Sequence, residues 1–330
     1  MIYEMERHVA VESVLKACKL CQSIQSTHLS RGVITKSDRS PVTIADFGAQ
    51  ALISDRLKAS FPDVLLVAEE DSRLLCQKEN ADLKEAVTAH VKRFSPHLSQ
   101  RQILEAINLG SGEIGPKERF WTLDPIDGTK GFLRGDQYAV ALALIDGGQV
   151  VLGVLGCPNL PVDGLNSHSR RGCLFVAITG EGSVMRGFED PVERRIHVTK
   201  LTDPSQARFC ESFESAHSSH EITAQVAHIL GIKKQPYRVD SQAKYGMVSR
   251  GDASIYLRLP IERSYREKIW DHAAGFIIVE EAGGTVTDIQ GKTLDFSVGN
   301  KLTKNRGIIA TNGKLHDLLL EAVQQVFSQS

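Results

Sequence analysis

The sequence has no long apolar run. Its longest apolar stretches, such as residues 138–145, span about eight residues, whereas a helix that crosses a bilayer needs roughly 18 or more. We therefore expect no membrane span. Three acids, Glu4, Glu6 and Glu12, stand among the first apolar positions. They fit neither a basic secretory leader nor an acid-poor transit peptide, and we expect the chain to begin as mature protein.

Cysteines are sparse as well. Six among 330 residues are too few for a secreted disulfide scaffold, and no asparagine stands two places before a serine or threonine. Both absences favour a reducing cytoplasm as the location. Cys18 and Cys21 form a C-x-x-C pair, but no second pair or histidine lies at metal-ligand spacing. We interpret the two as ordinary helix cysteines.

The chain also lacks an excess of either charge. Its 39 Lys and Arg residues nearly balance 40 Asp and Glu residues, which argues against a general nucleic-acid-binding protein. Apolar residues make up 42% and charged residues 24%, close to the averages for globular proteins, so disorder is excluded. Any anionic ligand must therefore be held by a few local positive charges or by metal ions.

Apolar spacing predicts the main elements. It indicates helices over residues 5–26 and 45–59 and a strand over 64–68. Closely spaced apolar runs between residues 120 and 178 predict an antiparallel sheet. The charged, helical segment 71–117 is interpreted either as a lid over a site or as a passive insertion.

The pattern changes after residue 204, where short strands alternate with helices and favour α/β layering. We therefore predict two domains, an N-terminal α+β domain over residues 1–195 and a C-terminal α/β domain over residues 196–330. The length of the chain is compatible with two domains or one large one.

Two carboxylates at one strand end carry the strongest chemical signal. The segment Asp124-Pro125-Ile126-Asp127-Gly128-Thr129 follows an apolar strand directly. Pro125 fixes φ and Gly128 permits a tight turn, so both carboxylates and the Ile126 carbonyl could converge on a hard cation such as Mg²⁺. A helix opening after Gly128 could bind a phosphate. The alternative is an Asx-type turn with a solvated acid.

Two further acidic positions favour the functional interpretation. Glu69 and Glu70 end a separate short strand, and Asp271 stands at a predicted helix start, followed by small residues. An acid run is often a solvated surface, and Asp271 could simply cap its helix. Three acid clusters at strand ends or helix starts are harder to explain in that way.

These segments resemble the signature set of the inositol monophosphatase and fructose bisphosphatase superfamily, which comprises Mg²⁺-dependent, lithium-sensitive phosphatases. The resemblance rests on Glu69-Glu70, on the segment from Asp124 to Thr129, and on Trp270-Asp271-His272-Ala273-Ala274-Gly275 with Glu281-Ala282-Gly283-Gly284. Within that superfamily, four segments are similar to the 3′(2′),5′-bisphosphate nucleotidases: Ser40-Pro41-Val42-Thr43-Ile44-Ala45-Asp46, Val67-Ala68-Glu69-Glu70-Asp71, Asp240-Ser241-Gln242-Ala243-Lys244-Tyr245 and Tyr265-Arg266-Glu267-Lys268-Ile269-Trp270-Asp271-His272.

The resemblance covers residues from about 5 to about 325 and implies a fold and a set of roles. The implied fold is a layered αβαβα sandwich with the site where the two domains meet. Two or three Mg²⁺ ions are implied to bind Glu69, Asp124, Asp127, Asp271 and the Ile126 carbonyl. Asp46 and Thr129 are implied to activate the attacking water, and Glu70 to support a ligand without contacting the metal.

A second pocket is implied for the part of the substrate that is not cleaved. Its residues would be His217, Ser241, Lys244 and Arg258, with Gly128, Thr129 and Asp271 also contacting the substrate. His220 lies close enough in sequence to exchange roles with His217. Taken alone, Lys244 would be interpreted as a solvated surface lysine.

The implied activity is hydrolysis of the 3′-phosphate of adenosine 3′,5′-bisphosphate (PAP) to AMP and phosphate. The resemblance also implies action on 3′-phosphoadenylyl sulfate (PAPS), a link to sulfate assimilation, and inhibition by lithium or sodium. We expect a cytoplasmic monomer that acts on small molecules and binds neither nucleic acid nor membrane. The alternatives are a phosphatase for inositol phosphates and a non-catalytic sensor of PAP.

Overall fold

The computed structural model describes residues 2–26, 33–36, 41–112, 115, 118–166, 168–213, 220–259 and 264–328. The helices in these residues are α1 Glu4–Gln25, α2 Ile44–Ser60, α3 Ala81–Phe94, α4 Gln100–Asn108, α5 Thr129–Arg134, α6 His220–Ile229, α7 Ala243–Ser249, α8 Ala273–Glu281 and α9 His316–Ser328. Short 3₁₀ turns occupy Lys78–Asn80, Pro204–Gln206 and Ile269–Asp271.

The strands in the same residues are β1 Val33–Thr35, β2 Pro41–Thr43, β3 Leu65–Ala68, β4 Phe120–Asp127, β5 Ala139–Asp146, β6 Gln149–Pro161, β7 Arg171–Ile178, β8 Gly182–Gly187, β9 Arg194–Arg195, β10 Phe209–Glu211, β11 Tyr237–Arg238, β12 Ile255–Arg258, β13 Thr285–Thr287 and β14 Ile308–Thr311. The helices predicted over 5–26 and 45–59 are thereby confirmed as α1 and α2.

A seven-stranded sheet runs in the order β3-β4-β5-β6-β7-β8-β9. β3 and β4 are parallel, and the remaining neighbours are antiparallel. The predicted antiparallel sheet is therefore confirmed. The parallel pair places the carboxyl ends of β3 and β4 side by side, which brings the residues after both strands to one edge.

A five-stranded sheet follows in the order β11-β10-β12-β14-β13. β10 is parallel to β11 and β12, whereas β14 is antiparallel to β12 and β13. The two sheets consist of consecutive parts of the chain, since the larger ends at Arg195 and the smaller begins at Phe209. The division into domains at residue 195 stays a prediction.

In the described residues, three apolar cores hold together five layers, which alternate between helices and the two sheets. The first lies between the larger sheet and helices α1 and α2, and includes Leu20, Phe47, Leu142 and Val154. The second lies on the other face of that sheet, where α7 and α8 pack between the two sheets, and includes Leu155, Phe175, Tyr245, Ile277, Tyr256 and Ile308. The third joins the smaller sheet to α6 and α9 through Phe209, Val226, Ile309 and Leu319. The implied αβαβα sandwich is thus confirmed.

The segment interpreted as a lid or an insertion is largely part of the first core. α3 and α4 pack against α2, and their apolar side chains Val87, Val91, Ile103 and Ile107 are buried there. Its helical character is confirmed. None of the helices in the described residues combines the length and apolar character that a bilayer crossing requires.

The packing of α8 on the larger sheet depends on Gly153 of β6. A Cβ atom at this position would lie 2.5 Å from the Ile277 Cγ2 atom and 2.8 Å from the Ala274 carbonyl oxygen. We expect Gly153→Ala to lower the free energy of unfolding by about 1–3 kcal/mol, since the helix would have to move away from the sheet.

Urea denaturation followed by circular dichroism measures this loss. Gly187→Ala in β8 is the matched control, because its new Cβ would meet nothing closer than the Asp190 Cβ atom at 3.5 Å. Equal losses in the two variants would contradict the packing argument.

Candidate active site

A cavity of about 1140 Å³ opens at the edge where β3 and β4 end. Its wall also includes the start of α5, the start of α7, the end of β12 and the 3₁₀ turn before α8. Both sheets and the helix layer between them therefore contribute to one concave site, as is usual for small-molecule sites. The predicted residues that line it are Glu69, Glu70, Asp124, Ile126, Asp127, Gly128, Thr129, Ser241, Lys244, Arg258 and Asp271.

Strand pairing brings the first two acid clusters together. Ala68 pairs with Leu123 in the parallel β3–β4 ladder, and the Glu69 N–H donates to the Leu123 carbonyl at 3.2 Å. Glu69 therefore lies beside Asp124. The register of β4 against β5 shifts between Asp124 and Asp127, and such a bulge re-aims the side chains on its strand.

Asp124 and Asp127 are held by backbone donors inside the protein. Asp124 Oδ1 accepts from the Ile126 N–H at 3.1 Å, which is the hydrogen bond of an Asx turn. The carboxylate is only 2% exposed, so the alternative of a solvated acid is wrong. Asp127 Oδ2 accepts from the Gln242 N–H at 2.6 Å, which ties β4 to the start of α7.

Asp271 reaches the cavity from the 3₁₀ turn Ile269–Asp271. The residue at the cap position of α8 is His272, so the alternative that Asp271 caps this helix is wrong. Its Oδ2 atom lies 3.5 Å from Arg258 Nη2. The Arg258 guanidinium is thus the cation that contacts this carboxylate in the described residues.

Burial and mutual repulsion disfavour the charged form of these acids. Burial raises the pKa of Asp124, and the neighbouring Glu69, Asp127 and Asp271 raise it further. Burial likewise raises the pKa of Asp127 and of Asp271, although Arg258 partly offsets the shift at both. A hard cation at this wall would relieve the repulsion, because carboxylate and carbonyl oxygens are its preferred ligands.

Lys36 is a further cation at this wall, and the sequence analysis missed it. Its Nζ atom donates to Glu69 Oε1 at 3.0 Å and also contacts Glu70 Oε1. Although burial by itself would lower it, the two carboxylates raise the pKa of Lys36 above its ordinary value. The residue lies outside every acidic motif, so no sequence signal pointed to it.

The predicted acids are spread along the wall. In the described part of the chain, the group whose ligand atoms all lie within 4.8 Å of one another is Glu267, Asp271 and His272. Glu267 is already engaged, since it pairs with Arg258 Nε at 2.8 Å and with His272 Nε2 at 3.1 Å. Glu267 and His272 thus belong to a buried hydrogen-bonded network with Arg258, and of the three residues Asp271 is the one that lines the cavity in the described part of the chain.

Asp46 and Thr129, which are predicted to activate the attacking water, lie next to each other. Asp46 is the third residue of α2, where its Oδ2 atom accepts from the Thr43 N–H at 2.8 Å and from the Thr43 hydroxyl at 2.6 Å in a capping box. Its Oδ1 atom lies 3.5 Å from Thr129 Oγ1. Burial raises the pKa of Asp46 to about 7. Thr129 lines the cavity and so separates it from the fully buried Asp46.

The second predicted pocket centres on a buried cation. Lys244 is only 3% exposed, so the alternative of a surface lysine is wrong. Its Nζ atom donates to Ser212 Oγ at 3.0 Å and to the Val239 carbonyl at 3.3 Å, and lies 5.2 Å above the Tyr256 ring. Burial lowers the pKa of Lys244.

The histidine predicted for this pocket, His217, lies outside the described residues. The neighbouring His220 is described, and its Nε2 atom lies 3.0 Å from the Ser212 carbonyl oxygen. His220 is thus next to a residue that lines the cavity.

Two glutamines that the sequence analysis missed hold the acidic segments in place. Gln50 of α2 donates to the Glu70 carbonyl at 2.5 Å and to the Ile107 carbonyl at 2.7 Å, and accepts from the Glu70 N–H at 3.1 Å. Gln242 donates to the Trp270 carbonyl at 2.8 Å and accepts from the Gly275 N–H at 3.1 Å. The sequence feature that could have pointed to Gln50 is its position as a polar residue on an otherwise apolar helix face.

Comparisons with known proteins agree with this architecture. The sequence model of the inositol monophosphatase family matches residues 3–328. The chain belongs to the inositol monophosphatase family. Among solved structures with this family's fold, the IMPase of Thermotoga maritima is 23% identical with a TM-score of 0.65, covering 97% of each chain. The inositol monophosphatase of Anabaena is 22% identical with a TM-score of 0.64, covering 98% of this chain and 97% of that one.

Within the family, the more similar relatives carry one name. Proteins named 3′(2′),5′-bisphosphate nucleotidase are 47% identical in Oryza sativa, covering 99% of this chain and 96% of that protein, and 44% identical in Emericella nidulans, covering 99% of each. The 3′(2′),5′-bisphosphate nucleotidase 1 of Arabidopsis thaliana is 48% identical, covering 100% of this chain and 98% of that protein. The predicted resemblance to the bisphosphate nucleotidases is confirmed.

Two features require glycine at position 128, where the two pockets meet: its backbone conformation and its close contact with Ser241. Its φ of +86° lies in the left-handed region, and a Cβ atom there would lie 3.0 Å from the Ser241 Cβ atom. We expect Gly128→Ala to destabilise the protein by more than the roughly 1–2 kcal/mol that a left-handed conformation alone costs. Thermal and urea unfolding measure the loss.

Gly135 at the other end of α5 offers the matched control. Its φ is +79°, but a Cβ atom there would meet nothing within 4 Å. Gly135→Ala should therefore show only the backbone cost. The same loss in both variants would mean that the contact with Ser241 contributes nothing.

Proposed function

We propose that this chain is a Mg²⁺-dependent 3′(2′),5′-bisphosphate nucleotidase that hydrolyses the 3′-phosphate of PAP to give AMP and phosphate. The observation that carries the proposal is a single cavity whose lining includes four acids, Glu69, Asp124, Asp127 and Asp271, here called the acidic wall, and the cations Lys244 and Arg258, here called the cationic wall. It occurs in a chain whose relatives at 44–48% identity bear this enzyme's name. A substrate with two phosphates, of which one is cleaved, matches both walls.

Glu69, Asp124, Asp127, Asp271 and the Ile126 carbonyl would hold two or three Mg²⁺ ions. They fit this role because they are oxygen donors that line one wall and repel one another. Bound Mg²⁺ would supply positive charge that polarises the phosphate and acidifies the attacking water. Glu70, which is buried and contacts Lys36, would support Glu69 and not bind metal itself.

Thr129 and Asp46 would move the proton of the attacking water. The Thr129 hydroxyl donates to the Ile126 carbonyl at 3.1 Å and lies 3.5 Å from Asp46 Oδ1. By turning to Asp46, it would accept a proton from water as it donates its own to the carboxylate. A pKa of about 7 for Asp46 suits a group that takes up a proton near neutral pH. The Thr43 capping box fixes the acceptor in place.

The cationic wall would hold the remainder of the nucleotide. Lys244 has three N–H donors, and its two hydrogen bonds in the described residues leave a third for the 5′-phosphate. Ser241, Gly128 and Arg258 line the same cavity, and His217 would complete the set carried over from the family. Charge-assisted contacts of this kind position the reacting phosphate through binding energy remote from it.

The same site would accept PAPS, which carries the same 3′-phosphate, and this activity would link the enzyme to sulfate assimilation. Lithium or sodium would inhibit by occupying a Mg²⁺ position. We further propose that the enzyme acts as a monomer in the cytoplasm.

Phosphate release from four substrates tests the proposal: PAP, inositol 1-phosphate, inositol 1,4-bisphosphate and fructose 1,6-bisphosphate. We expect a strong preference for PAP that EDTA abolishes and Li⁺ inhibits. Lys244→Met should raise KM for PAP by about tenfold or more, since a hydrogen bond to a charged group contributes roughly 1.5–3 kcal/mol.

The exposed Lys234, which donates to the Gln206 carbonyl, provides the control variant Lys234→Met with unchanged KM. Preference for an inositol phosphate would overturn the assigned cationic wall and favour the first alternative. Binding of PAP without any phosphate release would favour the sensor.

Replacing one acid should have opposite effects on stability and on turnover. We expect Asp124→Asn to abolish turnover, to stabilise the metal-free protein at pH 8, and to shrink the rise in Tm caused by Mg²⁺. The reason is that the Asp124 carboxylate both repels its neighbours and contributes a metal ligand. Asp63→Asn on an exposed loop is the control, and near wild-type turnover in Asp124→Asn would refute the assignment.

The sign of the pH dependence follows from the raised pKa values of these acids in the folded protein. Their contribution to stability is complete below the unfolded value of about 4 and is lost as pH rises through the folded values, which for Asp46 means about 7. Mg²⁺ offsets that loss. The Mg²⁺-induced rise in Tm of the wild-type protein should therefore be larger at pH 8 than at pH 5.5.

A further inference from the structure

Arg258 is shared unequally between two carboxylates. Its Nε atom lies 2.8 Å from Glu267 Oε2, whereas its Nη2 atom lies 3.5 Å from Asp271 Oδ2 and 3.5 Å from the Tyr265 hydroxyl. The close partner, Glu267, is buried and faces away from the cavity, since it is absent from the cavity lining of the described residues. The looser partner, Asp271, lines the cavity.

Glu267 is in turn held from behind. His272 Nε2 lies 3.1 Å from Glu267 Oε2, and the Tyr245 hydroxyl lies 2.8 Å from His272 Nδ1. The Glu267 carboxylate can only accept a hydrogen bond, so the His272 Nε2–H donates to it. Tyr245 cannot shift easily, since its ring packs directly on Gly275.

The geometry points to Glu267 as a positioning residue that keeps the Arg258 guanidinium from closing onto Asp271, so that the Asp271 carboxylate stays open for a divalent cation. This inference rests on the proposed function in one respect, namely that Asp271 holds Mg²⁺. It assigns to Glu267 no contact with substrate or metal.

The physical basis is competition for one carboxylate. Arginine and carboxylate groups form strong, often bidentate pairs when nothing else holds them. With the Glu267 charge removed, the other carboxylate that contacts the Arg258 guanidinium in the described residues is Asp271, at 3.5 Å. A closed Arg258–Asp271 pair would occupy the oxygens that a cation needs.

Mg²⁺ titration of the full chain by calorimetry, with no nucleotide present, tests this inference. We expect Glu267→Gln to weaken Mg²⁺ binding by about tenfold or more, the range in which partners of ligating residues act. The matched control is Glu211→Gln. Glu211 is also a buried carboxylate and pairs with Arg238 Nε at 3.1 Å, so it loses the same charge without freeing Arg258, and its Mg²⁺ affinity should stay close to that of the wild type.

The double variant Arg258→Met/Glu267→Gln removes both buried charges and so leaves the net charge as in the wild type. Replacing a buried ion pair by apolar groups is often tolerated, so this variant should fold. We expect it to regain wild-type Mg²⁺ affinity while KM for PAP remains raised. A role of Glu267 in folding alone would not produce this recovery.

Unchanged Mg²⁺ affinity in Glu267→Gln, an equal loss in Glu211→Gln, or a double variant as weak as Glu267→Gln would each overturn the inference. The outcome is distinguishable from failure of the proposed function. A wild-type protein that binds Mg²⁺ but hydrolyses none of the substrates would refute the proposed function, and the comparison of Mg²⁺ affinities would still decide the role of Glu267.

Discussion

The crowding of carboxylates at the end of the β3–β4 pair is the constraint on which the site depends. Parallel pairing forces Glu69 next to Asp124, and the burial of Asp124 weakens the screening of their repulsion by water. Cations and backbone donors partly offset this repulsion. Lys36 contacts Glu69, the Gln242 N–H donates to Asp127, and Arg258 lies near Asp271. Each of these partners comes from a different element of the chain.

The acidic wall and the cationic wall are also connected to each other by direct contacts. The tight approach of Gly128 to Ser241 and the hydrogen bond from Gln242 to Asp127 join β4 to the segment that carries Lys244. Ser241 adopts a φ of 75°, which is uncommon for a residue with a side chain. Strain of this kind persists where the surroundings over-determine the backbone, as they do between the two walls.

Sequence reasoning was most successful where chemistry and local pattern coincide. The segment from Asp124 to Thr129 could be interpreted because a strand, a proline and a glycine together define its geometry. The roles of Lys36, Gln50 and Glu267 were not predicted, because they arise from contacts between different segments of the chain. The burial of Lys244 could not be derived from its residue type alone for the same reason, since that burial is created by Ser212, Val239 and Tyr256.

The helix layer formed by α7 and α8 has a consequence for how the molecule folds. By sequence it belongs to the second half of the chain, yet one face packs on the larger sheet and the other on the smaller. Either half produced alone would expose a broad apolar face to water. The two sheets should therefore form and melt as one cooperative unit, and the cavity between them should persist only while both halves are folded.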